Sequence, residues 1–214
     1  EIHRAMAAVM CFLALALLCA SGLVEGTPAD IGRRGAMKVT SLSALSFASR
    51  VVPQPVRAAD GAQAKAVGLS QEALKKRLLT DIEDKRFMVT GQLSRDLYTD
   101  DAKFTDEIDT YDVASYIRGT GQLFDPDRSE FKLIGDLNFS ADGKTIRYRF
   151  DEILSFRIPL QPRSRVSGVV ELTRGDDGLI TKYREFWDQS VPDTLRDLAL
   201  DGLGIKRAEF PDAV

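Results

Sequence analysis

Seven alternating side chains, Ile146, Tyr148, Phe150, Glu152, Leu154, Phe156 and Ile158, place six apolar or aromatic groups and one carboxylate on a single face of an extended chain. Arg147, Arg149 and Asp151 fall on the opposite face. A strand of this length with one apolar face has to bury that face within a sheet, and Pro159 and Pro162 end it. Before it, Phe131, Leu133, Leu137 and Phe139 recur among polar residues, and Ala141-Asp142-Gly143-Lys144 supplies a hairpin turn. After it, a third strand is predicted over 165–173, a turn at Gly175-Asp176-Asp177-Gly178, and a fourth strand over 179–187.

The residues before this meander have a helical period. Ser70 is placed to cap a helix over 71–84, in which Leu74, Leu78 and Ile82 form one stripe. A second helical stretch is expected near 89–97, then a turn and a short strand through Phe104. Asp112 caps a third helix over 113–123, which the Asp125-Pro126 pair ends. Helices first and long antiparallel strands afterwards predict an α+β fold, with helices covering one face of a curved sheet. The tail, 192–214, holds a short amphipathic helix around 194–200 that either covers one end of the sheet or trails from it.

The N-terminal segment is of another kind. Residues 5–24 carry no charge and follow Arg4, and Ala20, Ser21 and Gly22 suit a cleavage site. Residues 1–26 therefore read as a signal-peptide-like leader, with a retained membrane anchor as the alternative. In residues 27–67, Arg33, Arg34, Lys38, Arg50 and Arg57 alternate with serines and few acids, the composition of a transit peptide or of a disordered linker. The two in this order resemble the two-part plastid leaders of algae. The expected address is a plastid, stroma or thylakoid lumen, the alternative a secreted or membrane-anchored protein. Membrane contact would come only through an uncleaved leader.

The lone histidine, His3, and both cysteines, Cys11 and Cys19, lie in that leader. A domain over 68–191 thus contains no imidazole or thiol, which excludes a Ser-His-Asp triad, a thiolate nucleophile and a nitrogen–sulfur zinc site. From Lys65 onward there are 23 Lys plus Arg and 28 Asp plus Glu, with the bases scattered. No concentrated positive face exists to displace counterions, so no nucleic-acid partner is expected. No phosphate-binding or calcium-loop motif occurs, and neither a cofactor nor a metal is expected.

The stretches DLYTDDAKFTDEIDTY at 96–111 and GLITKYREFWDQS at 178–190 resemble the nuclear-transport-factor-2-like superfamily, which includes SnoaL-like polyketide cyclases, and within it a plant and algal plastid family. The shared elements are Tyr98, Asp101, Phe104 and Asp106, and a last strand ending in Trp187 and Asp188. Thr105-Asp106-Glu107 stands where the family often has Asp-Pro. The resemblance implies a cone-shaped sheet wrapped round an apolar pocket, and homodimerisation through the sheet. It implies no single activity.

Within that frame, Glu152 is the sharpest candidate, a carboxylate facing a core or pocket whose desolvation would fit it for proton transfer, unless a bulge near Asp151 turns it to solvent. Asp188 is the second catalytic candidate, with pairing to an arginine as its alternative. Trp187 and Asp188 are adjacent in a strand, so only one can face the pocket. Tyr183, Glu185 and Trp187 share a face, as do Arg184, Phe186 and Asp188. Tyr98, Tyr111 and Tyr148 are ligand-binding candidates or core residues. Asp106, with Glu107 and Asp109, forms an acidic loop at the pocket mouth or a solvated turn. The functional expectation is a domain binding an apolar small molecule or a protein partner. The alternatives are a cofactor-independent isomerase, cyclase or hydrolase with Glu152 or Asp188 as base and a Tyr donor, and a non-catalytic scaffold. An enclosed cavity holding a desolvated carboxylate within reach of a Tyr would favour catalysis.

Overall fold

The structure, a computed structural model, describes residues 64–211. The leader, and the transit-like segment as far as residue 63, lie outside the described residues, whereas residues 64–67 are described and Ala66 N donates to Asp96 O at 3.0 Å. No helix among the described residues is long and apolar enough to cross a membrane.

Helix α1 (Gln71–Leu79) starts where Ser70 Oγ accepts from Ala73 N at 3.2 Å, and it runs on as a π-helical turn, Thr80–Asp84. Its stripe of Leu74, Leu78 and Ile82 is fully buried. The next helix differs from expectation, because α2 (Phe87–Thr90) is one turn long and ends at Gly91. Gly91 adopts φ +73°, and a Cβ there would lie 2.4 Å from Ile117 O of the following helix. Glycine thus stops α2 and also lets it cross helix α3 (Val113–Leu123) at close range. Asp112 caps α3 by accepting from Ser115 N at 2.7 Å.

The strands are β1 (Tyr98–Thr105), β2 (Thr110–Asp112), β3 (Glu130–Phe139), β4 (Thr145–Ser155), β5 (Arg163–Arg174) and β6 (Ile180–Trp187). They form one sheet in the order β2-β1-β6-β5-β4-β3. Strands β3 to β6 are the antiparallel meander the alternation predicts, and β1 joins β6 in parallel. The fold class is α+β as expected, with one parallel pair in an otherwise antiparallel sheet. The tail helix, α4 (Val191–Gly202), is longer than its sequence signal and neither covers the pocket nor trails. It packs on β5, where Asp201 Oδ1 accepts from Arg163 N at 2.6 Å.

The core lies between α1–α3 and the inner sheet face. It centres on an aromatic cluster in which Phe104 stacks on Tyr183 at 4.7 Å and contacts Tyr116 at 4.4 Å. Tyr98 and Tyr148 belong to this core at 1% exposure.

Candidate functional site

The β4–β5 pairing runs without a register shift from Thr145–Thr173 to Ser155–Arg163. No bulge interrupts it near Asp151, so Glu152 keeps the inward face that strict alternation assigns it and is 3% exposed. Asp151 faces outward and takes a bidentate pair of 2.8 Å bonds from Arg165.

Glu152 lines a cavity of about 120 Å³ between the sheet and α3. Leu154 follows it on β4, β6 contributes Glu185 and Trp187, α3 contributes Tyr116 and Thr120, and Met88 comes from α2. Asp106 and Tyr111 close the side nearest β1 and β2, and Phe124 the far side. Gly168, opposite both Phe150 on β4 and Trp187 on β6, brings β5 close against β6 beside the Trp187 wall of the cavity. A Cβ on Gly168 would lie 2.2 Å from Phe186 O, so any side chain there would force the two strands apart.

Glu185 carries no signal in the sequence that marks it as a site residue. Its alternation with Tyr183 and Trp187 was legible, but the convergence of that face on Glu152 across β5 was not. Glu185 is 6% exposed; Oε1 accepts from Tyr183 Oη at 2.6 Å, and Oε2 accepts from Trp187 Nε1 at 2.7 Å. Burial, with the charge of Asp106 adding to it, pushes this carboxyl up to about 7, against the two hydrogen bonds and Arg184. Burial, the charge of Glu185 and that of Asp151 raise Glu152 well above the carboxylate range. Glu152 Oε2 is buried and has no hydrogen-bond partner. The two glutamates therefore differ in kind, since two donors stabilise the charge on Glu185 and none serves Oε2 of Glu152.

Tyr116 stands beside both. Burial first, then the charge of Glu185, holds its hydroxyl well above the usual phenol range, so it remains a proton carrier at any physiological pH. Asp106 is also raised, chiefly by burial, although Oδ1 accepts from Ile108 N at 2.7 Å and Asp109 N at 2.8 Å. Arg184 braces this loop by donating to Asp106 O at 2.6 Å and to Glu107 at 2.9 Å. Glu107 is thus an ion-pair partner, and of the acidic loop only Asp106 lines the cavity.

Among the other candidates, Tyr111 and Trp187 line the cavity, whereas Tyr98 and Tyr148 do not. Tyr98 packs on Phe104 at 5.2 Å, and the Tyr148 hydroxyl faces Met88 Sδ at 3.6 Å. Their aromatic bulk is needed to fill the core, and this decides their placement. Asp188 is corrected as a catalytic candidate. It lies on the outer face, paired with Arg149 at 2.5 Å and accepting from Ser167 Oγ at 2.8 Å. Alternation excludes it from the face that Trp187 occupies. Among the described residues no group of three or more carboxylates is arranged to hold a metal ion.

No protein-family model and no curated protein matches the chain. Solved structures do. An epoxide hydrolase/cyclase-like enzyme, SalBIII, of pyran ring formation in the polyether salinomycin is 18% identical, covers 56% of this chain and 95% of its own, and has a TM-score of 0.41. The Δ5-3-ketosteroid isomerase of Mycobacterium sp. is 18% identical over 56% of this chain and 96% of its own, with a TM-score of 0.39. A nuclear-transport-factor-2-like protein of Anabaena variabilis is 15% identical over 54% and 89%, with a TM-score of 0.40. These likenesses concern fold and carry no activity to this chain. The chain is thus similar to nuclear-transport-factor-2-like structures, and its own fold is α+β, helices packed on one six-stranded mixed sheet.

Proposed function

We propose that the domain is a cofactor-independent acid–base catalyst for a small, largely apolar substrate bearing a carbonyl or epoxide oxygen. The observation that carries this is Glu185, a buried carboxyl on the cavity wall, hydrogen-bonded by Tyr183 and Trp187 and poised near neutrality. Each Glu185 oxygen accepts one hydrogen bond and keeps a lone pair for a substrate proton. For a ketone, Glu185 takes the proton from the carbon next to the carbonyl while Tyr116 donates to the oxygen, leaving an enol. In a β,γ-unsaturated ketone the enol is a dienol, and return of both protons, with Glu185 delivering to the γ-carbon and the oxygen returning its proton to Tyr116, completes an isomerisation to the conjugated ketone. We assign the proton-accepting role to Glu185 and not to Glu152, because a carboxyl lacking donors stays protonated in an empty cavity. The largely apolar lining, with two desolvated glutamates beside Tyr116, supports catalysis over simple binding.

The test is exchange of α-protons for deuterium in a panel of small cyclic ketones in D2O, followed by NMR. Exchange above background that Glu185→Gln abolishes and Tyr116→Phe slows is the expected result. Exchange equal in wild type and Glu185→Gln would overturn the assignment. We propose further that residues 1–67 direct the domain to a plastid. A fluorescent protein fused behind these residues should collect in the plastids of an algal cell, and accumulation in the secretory path would reject that address.

A further inference from the structure

Glu152 has no part in the proton transfer just described, yet it lines the same cavity and is buried there at a cost. Its Oε2 has no donor, although the other buried carboxylates of the domain have theirs. Asp81 accepts from Lys85 and Ser94, and Asp96 from Arg77. Glu152 sits among groups of its own sign. Glu185 from β6 and Asp151 beside it on β4 both act on it, Asp106 lines the same cavity from the β1–β2 loop, and α3 adds only the neutral phenol of Tyr116. Across the two neighbouring strands it meets only Phe131 and Val166. Among the described residues no Lys, Arg or His lines the cavity, and Arg184, on β6 next to Glu185, is engaged by Asp106 O and Glu107. The rest of the wall is rich in aromatic side chains, Tyr111, Tyr116, Phe124 and Trp187.

An acidic, cation-free cavity walled by aromatic rings repels anions and attracts organic cations, for which ring faces and a desolvated carboxylate are complementary. We propose that the cavity selects a protonated amine on a small apolar body, with the ammonium seated on the unpartnered Oε2 of Glu152. The ammonium supplies the missing donor and takes the place of the proton that Glu152 holds in the empty cavity. Each amine bound as its cation then releases a proton to solvent. It rests on the cavity of the proposed function and narrows its substrate to one bearing a basic nitrogen beside the reactive oxygen.

Three probes of similar shape test it: benzylamine, benzyl alcohol and benzoate, titrated against the domain by Trp187 emission and by calorimetry in buffers of different ionisation heat. Benzylamine is expected to bind at least ~10-fold tighter than benzyl alcohol, a step of the size one pairing supplies, and benzoate weakest. Binding of the amine should tighten from pH 5 to pH 8 and release up to one proton, while the alcohol releases none. Glu152→Gln should lose the amine preference and keep the alcohol affinity, which also shows that the variant is folded. Equal or tighter binding of the alcohol, or amine binding without proton release, overturns the inference. Ketone exchange dependent on Glu185 would survive that outcome, so the failure of this selectivity and the failure of the catalytic assignment are separable.

Discussion

Glu185 and Trp187 form a titration sensor built into the cavity. Trp187 is the only tryptophan of the chain, and its indole N–H donates to Glu185 Oε2 at 2.7 Å. Ionisation of Glu185 places a charge next to that indole, so emission should change with a midpoint at about pH 7. The energetic side follows by linkage. The folded-state value lies above the ordinary 4.5, so the native state binds the proton more tightly and stability is full below pH 4.5 and lost as pH rises through 7. A shift of that size, at ~1.4 kcal/mol per unit, corresponds to about 3 kcal/mol in all, of which about 2 kcal/mol falls between pH 5 and pH 7. Urea unfolding at pH 5, 6, 7 and 8, wild type against Glu185→Gln, isolates this group from the other carboxylates. The variant pays a pH-independent penalty, because its amide nitrogen must face one of two donors. The difference between the two proteins should therefore shrink or reverse by about 2 kcal/mol from pH 5 to pH 7. An emission midpoint near 4.5, or a stability difference that does not vary with pH, would refute the reasoning that burial outweighs the Tyr183 and Trp187 hydrogen bonds.

Glu152→Gln should raise the melting temperature at pH 8 and leave it nearly unchanged at pH 4, because burial raises Glu152 and its ionisation is destabilising as pH climbs; an equal effect at both values would remove Glu152 from that account. Asp188→Asn and Arg149→Ala break a half-exposed pair and should each cost no more than about 1 kcal/mol, with ketone exchange unaltered; loss of exchange in Asp188→Asn would restore it as a catalytic candidate. Gly168→Ala drives a Cβ into Phe186 O and should cost roughly 2 kcal/mol or more, with displaced Trp187 emission, measured by urea unfolding. Tyr98→Phe removes a hydroxyl that lies outside the cavity, so calorimetric ligand affinity should be unchanged.

Local chemistry carried much of this fold into the sequence. The caps at Ser70 and Asp112, the buried stripe of Leu74, Leu78 and Ile82, the 141–144 turn and the alternation along β4 each depend on residues a few positions apart, and each stands where the sequence placed it. Alternation also made Glu152 visible as a carboxylate out of place. What escaped it depends on segments distant in the chain. That α2 stops at Gly91 is decided by the backbone of α3 about 26 residues onward, a clearance no local period records. Pairing of β1 with β6 is parallel and joins residues about 80 positions apart, so nothing between Tyr98 and Thr105 announces its neighbour.

The site divides in the same way. That Trp187 and Asp188 face opposite ways follows from the pleat, but which of them turns inward is set by the register of β5 on β6 and by the close approach that Gly168 permits. Glu185 looked ordinary in sequence, one charge in a strand of mixed charge. Its character comes from being enclosed with Glu152, Tyr116 and Asp106, contributed by four separate elements of the chain. The sequence by itself determined the elements, their caps and the anomalous carboxylate, because these are properties of a few neighbouring residues. Only the tertiary structure decided which carboxyls share a cavity and which one has hydrogen-bond donors, because desolvation and partnership arise between residues that the chain keeps far apart.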